Sequence, residues 1–198
     1  MSSNKYVAIA GTWAQHDDEF DPWLDWWHPD SHWSNEMRRL GMEPLRPDPF
    51  VWSTDLDGTI LQKIFQHRRY ADWIAAAHAL KFYTQGHEDF VLISHSHGGQ
   101  VALLGCKLGV KAGALITIST PVRDDILDET AFVAPKPWIH TYSGWDKMQW
   151  LGELFDGIFG IRRQMPGAVN LKYDLGHSGL LTTELGLAYW PGILSWLY

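Results

Sequence analysis

Three runs in this sequence are apolar almost throughout yet too short to be helices: "YVAIAG" at 6–11, "FVLIS" at 90–94 and "GALITIST" at 113–120. Runs of that kind suit strands buried on both faces, and such strands belong to parallel sheets covered by helices. Helical patterns fall between them. "SHWSNEMRRLGM" (31–42) has helical spacing, with Ser31 or Ser34 as its cap. From about Thr59 to Thr84 the residues Ile60, Ile64, Tyr70, Trp73, Ile74 and Ala77 recur as on one long amphipathic helix. "GGQVALLGCKLG" (98–109) reads as a helix ended by Gly109. "WIHTYSG" (138–144) and "AVNLKYDL" (168–175) are further strands, and "DKMQWLGELFDGIFGI" (146–161) is an unusually apolar helix. "EPLRPDPFVW" (43–52) carries three prolines, so it supplies at most a short edge strand before a loop. "GLLTTELGLAYWPGILSWL" (179–197) closes the chain as one or two helical pieces. The alternation predicts an α/β fold: one domain over residues 1–198, with a mostly parallel central sheet and helices on both faces.

Composition narrows the setting. Of the 198 residues, 45% are apolar and 20% charged, the balance of a globular chain with a sizeable core. A net charge of −7 gives no reason to expect a nucleic-acid or anionic-membrane partner. No apolar run approaches the roughly 18 residues needed to cross a bilayer, so stable membrane insertion is not expected. "MSSNKYVAIAGTW" passes directly into a strand-like run without the pattern of a signal peptide, which predicts a cytoplasmic or otherwise non-secreted protein. Cys106 is the only cysteine; an internal disulfide is excluded, and its place in an apolar helical pattern reads as a packed core thiol.

The second strand ends on a corner, "VLISHSHGGQVALL" (91–104). Strand, then Ser94-His95-Ser96-His97-Gly98, then helix, is a variant of the G-x-S-x-G nucleophile elbow. The turn is so tight that residues two positions either side of the nucleophile must be small, and the nucleophile itself is held in strained backbone. Ser94 replaces the usual first glycine, while Gly98 and Gly99 leave room for the helix to approach. A reactive serine needs a histidine base, and that histidine needs an acid to fix its tautomer. Asp146 in "YSGWDKM" and His177 in "DLGHSGLL" follow later strands, in the order serine, acid, histidine. The oxyanion of acyl transfer needs donors as well. The N–H of His97 would be one, and that of Thr12 or Trp13, in the "AGTW" turn opened by Gly11, the other.

In "IAGTW", "SHSHGGQVALL", "YSGWDKM" and "DLGHSGLL", spanning Ile9 to Leu181, the chain resembles the α/β-hydrolase superfamily, particularly its compact lipase- and esterase-like members. Two departures stand out: Ser94 at the first elbow glycine, and Ala10 before Gly11 where many lipases have histidine. The resemblance implies a Ser-His-Asp hydrolase without metal or other cofactor, with Ser96, Asp146 and His177 as the catalytic residues. The expected substrate is a small-molecule, lipid or acylated-sugar carboxylic ester. Acyl transfer or amide cleavage on the same triad, or a silent binding protein of this fold, are the alternatives. The oligomeric state stays open.

Other signals compete. "DLDGTIL" (55–61) matches the first motif of haloacid-dehalogenase-like phosphatases, but Pro47 and Pro49 spoil the strand that should lead into Asp55. A helix cap at Asp55 or Asp57 is the plainer reading. His28 and His32 stand at i, i+4 around Asp30, yet Pro29 between them argues for a loop and no further metal ligand is evident. His95 should point away from Ser96 by strand alternation and reads as structural. His16 and Asp17 read as a solvated loop. Asp124 and Asp125, after the strand ending at Thr120, are the reserve acid. The chain holds 12 tryptophans. In "DPWLDWWHPDSHW", Trp23, Trp26 and Trp27 have i, i+3, i+4 spacing, so residues 20–53 form either a lid over the cleft or a segment packed on the core. Together with Trp145 and Met148 these tryptophans are the candidate substrate-pocket residues.

Overall fold

A computed structural model describes residues 4–11, 20–52, 70–130, 133–147 and 164–198. Among the described residues lie six strands: β1 (Lys5–Ile9), β2 (Glu43–Pro44), β3 (Phe90–His95), β4 (Ala112–Ile118), β5 (Trp138–Tyr142) and β6 (Val169–Lys172). They form one sheet in the order β2-β1-β3-β4-β5-β6, and every described pairing is parallel. Val7 lies beside Leu92, Leu92 beside Leu115, and Ile116 beside Ile139. Because the pairings are parallel, all strands deliver their carboxyl ends to one edge. The chain order reverses between β1 and β3, so the loops leaving these two neighbours diverge and open a crevice at that edge.

Strand alternation sorts the core into two layers. Val7, Ile9, Phe90, Leu92 and Leu115 face one way, onto α2 (Tyr70–Tyr83), α3 (Gly98–Lys107) and α4 (Asp124–Thr130). Tyr6, Ala8, Val91, Ile93 and Ile116 face the other, onto α1 (His32–Arg39) and the C-terminal helices. Ser31 caps α1, accepting a hydrogen bond from the Ser34 N–H at 3.0 Å. A helix as tightly applied as α3 needs bare backbone at its start. A Cβ on Gly98 would lie 2.5 Å from the carbonyl oxygens of Ile9 and Ala10, and one on Gly99 would lie 2.2 Å from Thr120 Oγ1.

Several sequence expectations change here. The segment around Trp23, Trp26 and Trp27 is a series of turns, not a helix. Asp21 Oδ1 accepts from the N–H groups of Trp23 (2.7 Å) and Leu24 (3.1 Å), an aspartate turn that outcompetes the helix its aromatic spacing suggests. The C-terminal stretch breaks into four short pieces: α5 (Gly179–Thr182), α6 (Glu184–Leu187), α7 (Trp190–Leu194) and a 3-10 turn (Ser195–Leu197). Thr183, extended at φ −136° and ψ 149°, interrupts the run and caps α6. The polar helix α4, opened by Asp124 and Asp125, had no apolar stripe to announce it. Ser94 sits inside β3, paired with Ile9 and Thr117, with its hydroxyl donating to the Ile116 carbonyl at 3.2 Å. Residues 53–69, which hold Asp55, Asp57 and the first part of the helix expected from Thr59, and most of the apolar stretch 146–161 lie outside the described residues.

Candidate active site

β3 runs through His95 and stops because Ser96 adopts φ 52°, a left-handed conformation that a side-chain-bearing residue rarely takes. Two backbone bonds hold it there. The Ser96 N–H donates to the Ile118 carbonyl at 2.8 Å, the last rung toward β4, and its own carbonyl accepts from the Gly99 N–H at 3.0 Å. Ser96 is therefore fixed from the sheet side and from the helix side at once. Its side chain and that of His97 remain half-buried, at the positive end of α3.

The turn leaving β1 comes in against this corner. A Cβ on Gly11 would stand 2.8 Å from Ser96 Cβ and 3.2 Å from the His95 carbonyl oxygen, so only glycine lets the loop pass this close. The preceding carbonyl, of Ala10, is held by the indole N–H of buried Trp52 at 2.8 Å. Trp52 was not singled out in the sequence. It comes from a proline-rich loop 42 residues away, and only the fold brings it to β1. Thr12 and Trp13, the expected second oxyanion donors, lie outside the described residues, as do Met148, His16 and Asp17.

Asp146 and His177 arrive from β5 and β6. After Tyr142 the chain turns through Ser143, whose hydroxyl accepts from the Trp145 N–H at 3.2 Å, and through Gly144, whose N–H donates to Asp174 Oδ1 at 3.3 Å. This turn leaves Trp145 78% exposed and drives Asp146 inward, to 1% exposure. From β6, Gly176 at φ 75° reverses the chain and presents His177 just before α5. His177 Nδ1 then lies 2.7 Å from Asp146 Oδ2, with the carboxylate side chain wholly shielded from solvent and the imidazole 18% exposed. A carboxylate is an acceptor only, so the bond assigns the proton to Nδ1 and leaves Nε2 with its lone pair. The reserve acids stand elsewhere. Asp125 is gripped by the Arg123 guanidinium at 2.9 and 3.1 Å, which holds its carboxyl below the usual range, and Asp124 is exposed at the start of α4.

The tryptophans separate by environment. Trp26 is 3% exposed and packs edge-on to Trp33 at 5.0 Å, while Trp33 meets Trp190 at 5.3 Å and Tyr6 at 5.3 Å. Trp26 is thus a core residue rather than a lid residue. Trp23 lies against the His32 ring at 4.1 Å, and Trp27 is half-buried against Trp26. His28 accepts through Nδ1 from the Asp30 N–H at 3.1 Å and packs tilted against Phe20 at 4.4 Å, so the His28–His32 pair is occupied in local packing. Among the described pocket candidates, Trp145 alone combines high exposure with a place beside the acid.

His95 is the residue whose surroundings differ most from expectation. It does face away from the Ser96 corner, into the layer of Ile93 and Trp26, but the His177 loop packs on that same layer. The two imidazoles lie 4.7 Å apart, and His95 Nε2 is 3.1 Å from the His177 carbonyl oxygen. Burial, reinforced by neighbouring His177, pushes the His95 imidazole down to about 3, so it is neutral.

No protein-family model matches the sequence, and no curated protein matches it significantly. Solved structures do match in three dimensions. A provisionally assigned hydrolase of the alpha/beta superfamily from Xanthomonas campestris pv. campestris superposes with a TM-score of 0.52 at 18% identity, covering 98% of each chain. MGS-MChE2, an alpha/beta hydrolase enzyme from a metagenome of lagoon sediments at Mar Chica, Morocco, gives 0.52 at 18% identity over 96% of this chain and 88% of its own. The chain has the α/β-hydrolase fold. A third match, the dienelactone hydrolase-like promiscuous phosphotriesterase P91 from metagenomic libraries, gives 0.53 at 15% identity over 98% of this chain and 84% of its own. In this α/β-hydrolase fold, the corner at Ser96 and the loops of Asp146 and His177 share the sheet edge where the strands end.

Proposed function

We propose that this protein is a serine hydrolase that cleaves a carboxylic ester through an acyl-enzyme on Ser96. One observation carries the reading: a desolvated Asp146 bonded at 2.7 Å to His177 Nδ1, on the sheet edge where Ser96 is held at φ 52°. A buried carboxylate paired with one imidazole nitrogen has a clear chemical use. It fixes the tautomer that leaves Nε2 basic, and it stabilises the imidazolium formed when Nε2 takes a proton.

In this mechanism His177 Nε2 removes the Ser96 hydroxyl proton as Oγ bonds to the ester carbonyl carbon. The resulting oxyanion is received by the N–H of His97 at the head of α3, together with an N–H from Thr12 or Trp13. Collapse of the tetrahedral species breaks the bond to the alkoxy group, which takes the proton from His177 and leaves as alcohol. Water then attacks the acyl-enzyme, with His177 again as base, releasing the carboxylic acid and restoring Ser96. Trp145, exposed beside the acid loop, is the side chain offered to the substrate's apolar part. The hydrolases among the superposed structures agree with the reading without fixing the ester.

A panel of p-nitrophenyl esters of increasing chain length, with acetylated sugars included, tests it. Turnover should fall by about 10³-fold or more in Ser96→Ala, while Asp146→Asn should keep a larger residue of activity. Turnover that survives Ser96→Ala removes the proposal. An alcohol or amine acceptor strongly preferred over water would redirect it to acyl transfer.

A further inference from the structure

Gly176, at φ 75°, is a joint immediately before His177, and the helix that follows is only four residues long. The base therefore sits on a short segment with a glycine in the left-handed region on one side. What steadies its main chain is a side chain from another element. His95 Nε2 lies 3.1 Å from the His177 carbonyl oxygen, a neutral imidazole N–H donating to a main-chain acceptor. Ser178 Oγ stands 3.3 Å from the same nitrogen and takes a longer share of that N–H. The His95 ring also packs edge-to-face with Trp26, their centroids 6.3 Å apart.

We infer that His95 is a positioning residue that clamps the main chain of His177 to the strand carrying Ser96. This rests on the reading of Ser96, His177 and Asp146 as the catalytic set. His95 and Ser96 are covalent neighbours, so a bond from His95 to the His177 carbonyl fixes base against nucleophile through a path of two residues. Placement errors of about 1 Å at a reacting centre are enough to cost large factors in rate, so a single bond at this point matters. The clamp also has to stay uncharged beside an imidazole that becomes cationic during turnover. Buried in the Ile93–Trp26 layer, and facing His177, Asp146 and His97, His95 keeps a single Nε2 proton through the range in which the base works.

The amide side chains provide the test, because a glutamine nitrogen can reach where imidazole Nε2 lies and an asparagine nitrogen cannot. Two readouts are compared in folded His95→Gln, His95→Asn and wild-type protein. One is the rate of inactivation by a fluorophosphonate. The other is the far-downfield proton resonance of the His177 Nδ1–H bonded to Asp146, which needs no substrate. His95→Asn should slow inactivation about tenfold, the rate equivalent of one neutral hydrogen bond, and broaden the downfield proton. His95→Gln should hold both near wild type. Equal behaviour of the two variants, whether both intact or both impaired, overturns the clamp. Wild-type protein inert to the probe would overturn the hydrolase reading instead, and the downfield proton would then decide the clamp on its own.

Discussion

At the scale of single residues, the site is built from close approaches that tolerate no extra atom. Gly11 is the sharpest case, because the Cβ it lacks would fall 2.8 Å from Ser96 Cβ. Ser96 cannot yield easily, with its N–H bonded at 2.8 Å to β4 and its carbonyl at 3.0 Å to α3. Gly11→Ala should therefore lower kcat by about a hundredfold through displacement of the serine, with the far-ultraviolet circular dichroism unchanged. Steady-state kinetics on the best ester from the panel checks it. His95 makes a second prediction, on stability. Its folded value of about 3 lies below the ordinary 6.5 of histidine, so the unfolded chain takes up the proton first as pH falls. The stabilisation of keeping it neutral is whole above about pH 6.5 and is lost progressively toward about pH 3. Urea unfolding at pH 7 and pH 4.5 should show wild type losing about 2–3 kcal/mol more than His95→Gln over that interval. Residues of this kind are partly legible in sequence. Ser96 stands out because a tight strand-to-helix turn demands small neighbours. His95 does not, since its partner is set by which face the His177 loop packs on, 82 positions further along the chain.

At the scale of elements, the strands were the legible part and the short helices the illegible one. Apolar runs as short as "FVLIS" suit strands buried on both faces, and β1, β3 and β4 lie where those runs do. The turns around Trp23, Trp26 and Trp27 show the opposite case. Aromatic spacing suggested a helix, but the Asp21 side chain captures the first N–H groups and folds the segment locally instead. Trp26 then reaches the core through edge-to-face contacts that run from Trp33 to Trp190 and Tyr6, rings drawn from three distant stretches of the chain. The C-terminal pieces matter for the site because α5 follows His177 directly. Gly186 of α6 rests against α5 so tightly that a Cβ would lie 1.9 Å from the Gly179 carbonyl oxygen. Gly186→Ala should push α5 outward and destabilise the fold by about 1–3 kcal/mol. It should also loosen the His177 loop, so ester turnover falls in the protein that stays folded. Thermal unfolding and turnover measured on the same preparation separate the two effects.

At the scale of the whole molecule, the parallel sheet puts the described loops of the proposed site on one edge. The reversal between β1 and β3 opens the crevice into which Gly11 and Ser96 converge, while β5 and β6 bring Asp146 and His177 to the same edge. This arrangement was readable because parallel strands constrain where loops must go, whatever the side chains between them. The crevice's outer wall was not readable in the same way. Of its candidate residues, Trp26 packs in the core, Trp23 and Trp27 are half-buried against His32 and Trp26, and Met148 lies outside the described residues, and aromatic composition cannot distinguish a wall from a core. The measurement that bears most directly on the account is peptide mapping by mass spectrometry after treatment with a fluorophosphonate. In folded wild-type protein a single adduct is expected on Ser96, absent from Ser96→Ala and from protein unfolded before treatment. Folded protein that carries no adduct on Ser96, or carries it on another residue, contradicts the account.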